Sequence, residues 1–132
     1  MKNSFTGLVI LFLLLVCSGS SKANDTSIGN EVVPGIPVKN TVTLVDLGAT
    51  TCIPCKMMAP ILEELKQEYK GRVEVFFIDV YDKSNAGKSK AFNIFVIPSQ
   101  IFYDKQGREV FRHTGFLDKK SIVVKLEELL KK

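Results

Sequence analysis

The chain predicts an α/β fold, a central mixed sheet with helices on both faces, and three observations carry that expectation. Val42 to Gly48 and Val73 to Asp79 are short apolar runs rich in Val, Phe and Ile, suited to parallel strands buried on both faces. Between them Met58, Ile61, Leu62, Leu65 and Tyr69 recur at spacings of three and four, which draws one apolar stripe along a helix. Further on, Ser99 to Tyr103 and Glu109 to His113 flank Asp104-Lys105-Gln106-Gly107, a turn cluster that joins two antiparallel strands.

Taken in order, the chain opens on a segment that does not belong to this fold. Met1 to Ala23 has a basic residue near its start (Lys2), an apolar core from Leu8 to Val16 and small residues after it, the anatomy of a signal peptide. The apolar core falls short of the roughly 20 residues that a spanning helix needs, so export is expected rather than permanent anchoring. Ser21 and Ala23 place small residues three and one before Asn24, the expected cleavage point. Lipid attachment at Cys17 is the alternative, and Leu14-Leu15-Val16, where a lipoprotein signal carries a small residue before its cysteine, argues against it.

Residues 24–40 are polar and then punctuated by Pro34-Gly35-Ile36-Pro37, which reads as a tail and edge segment leading into one domain over residues 41–132. In that domain the first strand feeds the striped helix, which contains Pro60, expected to kink it, and stops at Gly71. The polar stretch after Asp79 holds a short helix from about Ala86 to Phe92. Ile97-Pro98 precedes the hairpin, and Asp118 caps a last helix with Ile122, Val123, Leu126, Leu129 and Leu130 on its apolar face.

Loss of the leader removes Lys2 and Lys22 and no acid, so the net charge of +4 falls to +2. No nucleic-acid partner is expected at that charge. Of the three cysteines only Cys52 and Cys55 then remain, and in an oxidising compartment a lone pair is a working couple rather than a staple.

Cys52-Ile53-Pro54-Cys55 follows a strand and opens a helix. Two cysteines three apart in that setting exchange between dithiol and disulfide with little backbone movement. Unpaired N–H groups and the helix dipole favour a thiolate at Cys52. A structural zinc site needs two further ligands, and His113 is the sole histidine, so no metal is expected. Asp46 stands in an otherwise apolar strand, where burial without a cationic partner raises a carboxyl's pKa; a solvent-exposed strand-end aspartate is the bland alternative. Gly87-Lys88-Ser89 echoes a phosphate loop, but Asp82 stands where its first glycine belongs. His113 reads as a strand residue, and packing accounts for Met57 and Met58.

With these residues in view, Val38 to Leu130 resembles the thioredoxin superfamily. Four separated features carry the resemblance: Asp46 in Val45-Asp46-Leu47, the CxxC followed by Lys56 and Pro60, the Ile97-Pro98 pair, and Gly115 after the last strand. The resemblance implies a thioredoxin-like fold without cofactor, Cys52 as nucleophile and Cys55 as resolving thiol. It also implies that Asp46 exchanges a proton with Cys55 through water, and that Pro98 follows a cis bond and faces the cysteines. Substrate protein would lie along Ile97, Ile53 and Pro54.

Thr51 in place of the usual Trp, Ile53 in place of Gly, Val75 in place of a Lys, and no evident helix before Val42 set the chain apart from general-purpose thioredoxins. They make it more similar to the carboxyl-terminal domains of DsbD and to cytochrome-maturation relatives. The expectation is a monomeric, periplasmic or otherwise exported reductant of protein disulfides, fed by a membrane-embedded electron donor. A disulfide oxidant or isomerase, and a copper carrier using Cys52, Cys55 and a methionine or His113, are the alternatives.

Overall fold

The computed structural model describes residues 33–132. The expected leader over residues 1–23, Cys17 and the first part of the tail lie outside the described residues. The elements are β1 (Val42–Gly48), α1 (Ile53–Glu68), β2 (Val73–Asp79), α2 (Lys88–Ala91), β3 (Ser99–Tyr103), β4 (Glu109–Thr114) and α3 (Lys119–Leu130). They form the expected thioredoxin-like α/β fold around one mixed sheet, ordered β2-β1-β3-β4. β1 runs parallel to β2 and antiparallel to β3, which is antiparallel to β4.

Alternation along β1 divides the core in two. Val42 and Leu44 join Met58, Leu62 and Leu65 of α1, Phe102 of β3, and Ile122 and Leu126 of α3 on one face. Val45 and Leu47 join Ile101, Phe92, Ile94 and Ile36 on the other. Ile36 thus ties the end of the 24–40 segment into the core. β1, with strands on both sides and both faces covered, is buried at every residue. β2 is an edge strand instead, with Glu74 and Phe77 exposed, so its expected burial on both faces holds only in part.

α1 begins at Cys52 as its N-cap, places Pro54 in the first turn where a missing N–H costs nothing, and continues through Pro60 to Glu68. Gly71 then reverses the chain at φ 77°. The short helix differs from its expected bounds. Asp82 turns the chain first, accepting the N–H and hydroxyl of Ser84 in a 3-10 turn over Lys83–Asn85, and Gly87 at φ 85° delays α2 to Lys88. Asp118 caps α3 by accepting the Ser121 N–H at 3.0 Å.

Candidate active site

β1 is the central strand that delivers the chain to the site. At its end Gly48 accepts the Val80 N–H at 2.9 Å, and the chain turns through Thr50 and Thr51, with Cys52 N–H donating to the Ala49 carbonyl at 3.1 Å. Asp79, at the end of β2, holds this turn. Its Oδ2 accepts the Thr50 N–H at 3.1 Å and the Thr50 hydroxyl at 3.0 Å, while Oδ1 accepts the Tyr81 N–H at 2.9 Å. Those bonds, the Thr50 N–H foremost, hold the Asp79 carboxyl below the usual carboxylate range.

Cys52 and Cys55 form a disulfide across the first turn of α1, with Cα atoms 5.2 Å apart. The Cys55 N–H points at Cys52 Sγ at 3.4 Å, so the helix terminus directs a donor at the outer sulfur. Cys52 is half-buried and Cys55 only 2% exposed, which separates an accessible sulfur from a sheltered one. Gly48 makes room for that shelter. A Cβ there would stand 3.0 Å from Cε2 of Phe77 and 3.2 Å from both Cβ and Sγ of Cys55.

Asp46 lies on the same face of β1, two residues before Gly48, and is wholly buried. The exposed strand-end alternative is thereby removed. Desolvation pushes its carboxyl up to about 6, moderated by a hydrogen bond from Gln100, whose Nε2 donates to Oδ1 at 2.7 Å. Gln100 is equally buried, and among the described residues Oδ2 of Asp46 and Oε1 of Gln100 have no protein partner.

The Ile97-Pro98 bond is cis. Pro98 is buried, and its carbonyl accepts the Gly115 N–H at 2.8 Å, which joins two of the features that carried the resemblance. Ile97 packs against the second core cluster. Ile53 is 75% exposed beside the exposed Pro54, and Phe95 at 90% and Val96 also face solvent. Met58 packs in the core as expected, whereas Met57 is more than half exposed and packing does not account for it. His113 sits on β4 with Nε2 3.3 Å from the Phe116 carbonyl. Lys88 of the phosphate-loop echo bonds to Asn85.

Reading the sequence residue by residue missed Gln100, Gly48 and Phe77. Gln100 carries a signal: it falls in phase with Phe102, on a side of the hairpin strand that should be apolar. Gly48 and Phe77 carry none, because their contact with Cys55 depends on strand pairing.

A sheltered thiol behind an accessible one at a helix N-terminus can form and break a disulfide with a second molecule, and the site is that of a thiol-disulfide oxidoreductase. Comparison with known proteins agrees. A sequence model of the thioredoxin family matches residues 27–128. Thioredoxin of Staphylococcus aureus, identically in strains Mu50 and MW2, is 37% identical over 93 residues, 70% of this chain and 86% of its own. The crystal structure of chloroplastic thioredoxin z superposes with a TM-score of 0.64 at 29% identity, covering 74% of this chain and 86% of its own. The chain belongs to the thioredoxin family.

Proposed function

We propose that this protein is an exported member of its family that mainly reduces protein disulfides and is itself re-reduced by a membrane-embedded donor. The observation that carries the direction of electron flow is the dipeptide between the cysteines. Ile53 and Pro54 are exposed and uncharged, so neither supplies a cation to hold a Cys52 thiolate and favour the reduced form as a strong oxidant requires. Export rests on the leader anatomy of residues 1–23.

In the reducing direction the Cys52 thiolate attacks a substrate disulfide, forming a mixed disulfide and expelling one substrate thiolate. Cys55 then gives its proton to Asp46 and attacks Cys52 Sγ. The second substrate thiolate leaves with the electron pair of the broken bond, and the Cys52–Cys55 bridge remains. Asp46 supports this role by lying on the sheet face that Cys55 packs against, with a carboxyl that burial pushes up to about 6. The main chain of Ile97 before Pro98, together with exposed Ile53 and Pro54, forms the ledge for an extended substrate segment.

The direction is tested by the equilibrium potential of the Cys52/Cys55 couple against glutathione. A value below about −200 mV is expected, on the reducing side of protein disulfide isomerase at about −180 mV. A value near the about −120 mV of DsbA would overturn the reductant reading in favour of a disulfide donor. Export is tested by the mass of protein recovered from a secreting host. A chain starting at Asn24 is expected, and one beginning at an acylated Cys17 would make it a tethered lipoprotein.

A further inference from the structure

The sheet register sets Phe77, Asp46, Gln100 and His113 in one row across all four strands, on the face covered by α1 and α3. Inside that row two wholly buried polar side chains, Asp46 and Gln100, meet each other. A glutamine amide has both a donor and an acceptor end. A carboxyl that must alternate between ionised and protonated needs a donor in one state and tolerates an acceptor in the other. Gln100 presents its donor end to Oδ1 of Asp46, the contact that favours the ionised state.

We propose that Gln100 is a positioning residue for proton exchange at Cys55: its amide N–H fixes Oδ1 of Asp46 and leaves Oδ2 as the oxygen that takes and returns the proton. The proposal rests on the proton-exchange role of Asp46 given above. The step is balanced within the protein. The Cys55 S–H bond breaks and an O–H bond forms at Oδ2, while the Cys55 thiolate closes on Cys52 Sγ as the Cys52–substrate bond breaks. The leaving substrate thiolate then takes a proton from solvent or from Asp46.

Among the described residues little else that titrates reaches this carboxyl. β2 brings Phe77 and Val75 to this face, β3 brings Gln100 and Phe102, and α3 buries Ile122, Leu126 and Leu129 there. α1 brings Cys55, with Lys56 beyond it exposed, and β4 brings His113, which is one strand past Gln100 and engaged with the Phe116 carbonyl. Glu127 of α3 accepts the Tyr69 hydroxyl. Among the described residues, burial and the Gln100 hydrogen bond are the effects that act on Asp46.

The test mixes the reduced full-length mature chain with 5,5′-dithiobis(2-nitrobenzoate), which releases one chromophore when Cys52 attacks and a second when Cys55 resolves the mixed disulfide. The second phase is followed from about pH 5 to about pH 9. Loss of a donor to the ionised carboxyl in Gln100→Leu should move the midpoint of that phase upward by roughly half to one pH unit. At pH 6 that slows resolution several-fold. Asp46→Asn should remove this midpoint. Gln100→Met, of similar volume, repeats the measurement if the leucine variant does not fold. In the parent protein, the Gln100 side-chain amide resonance in nitrogen NMR should titrate with the same midpoint, which needs no variant.

If Asp46→Asn leaves the second phase unchanged at every pH, the proton role of Asp46 falls and this proposal with it. If Asp46→Asn alters the profile while the Gln100 variants superimpose on the parent, Asp46 keeps its role and Gln100 loses its own. A Gln100 amide resonance that does not titrate overturns the proposal as well.

Discussion

Gly48 and Cys55 pack so closely that a Cβ on the glycine would lie 3.2 Å from both Cβ and Sγ of the cysteine, tighter than ordinary van der Waals contact. The backbone of Gly48 lies in β1 and does not need a left-handed conformation, so close packing rather than backbone geometry favours a residue without a side chain there. The glycine therefore sets how deeply the resolving sulfur sits over the sheet.

Gly48→Ala should destabilise the oxidised protein by about 1–3 kcal/mol, the usual cost of an extra methyl in a packed site. It should also alter the rate at which Cys55 resolves a mixed disulfide. The Phe77 ring can yield at the edge of the sheet, whereas Cβ of Cys55 is fixed by α1. Adding Phe77→Leu should accordingly recover only part of the loss. Denaturant unfolding of the single and double variants checks this, and full recovery in the double variant would place the crowding at Phe77 instead.

Exposure distinguishes the two cysteines, with Cys52 half-buried and Cys55 2% exposed. Cys55→Ser should accumulate a stable mixed disulfide with a substrate protein, visible as an added mass on a non-reducing gel. Cys52→Ser should abolish reduction altogether. Trapping through Cys55 in the Cys52→Ser protein would reverse the roles.

The turn before Cys52 depends on Asp79, which holds both the N–H and the hydroxyl of Thr50. Asp79→Ala removes both acceptors and should speed hydrogen exchange at the Thr50 amide by an order of magnitude or more. Attack by Cys52 should slow as the turn loosens. Because these bonds hold the Asp79 carboxyl below its ordinary range, protection should persist in the parent until acid pH and fade as pH falls through that lowered value. Unchanged exchange in the variant would show that the turn is set by the Val80 to Gly48 and Cys52 to Ala49 backbone bonds alone.

Much of this architecture was legible in residue spacing. The period-three-and-four stripe of α1 and the turn cluster before β4 fixed those elements, because local patterns there agree with tertiary packing. Asp46 could be singled out because a charge in an apolar strand is costly unless it has work to do. Its partner was not legible. Gln100 is 54 residues away, and only the antiparallel β1–β3 register brings the two together. The edge position of β2 was hidden for the same reason: composition does not tell a strand which neighbours it will have. The start of α2 was displaced because Asp82, Ser84 and Gly87 settle a local turn that hydrophobic spacing does not report.

Asp46 also sets a stability prediction whose sign follows from its environment. Burial raises its carboxyl from an ordinary value of 3.8 to about 6 in the folded chain. Between those values the folded state binds more protons than the unfolded state, so stability falls as pH rises through the window and the loss is complete above about 6. The shift corresponds to roughly 3 kcal/mol at neutral pH. Asp46→Asn removes the ionisable group and keeps an oxygen for the Gln100 N–H. The variant should therefore be more stable than the parent by about 1–3 kcal/mol at pH 7, with the difference shrinking toward zero below about pH 4. The gain comes with slower resolution of mixed disulfides, because Cys55 loses its proton acceptor. Thermal or denaturant unfolding of the two oxidised proteins from about pH 3.5 to about pH 8 reads the difference directly. Parallel stability curves across that range would mean that Asp46 keeps an ordinary carboxyl despite its burial, and the case for it as the proton acceptor of Cys55 would go with them.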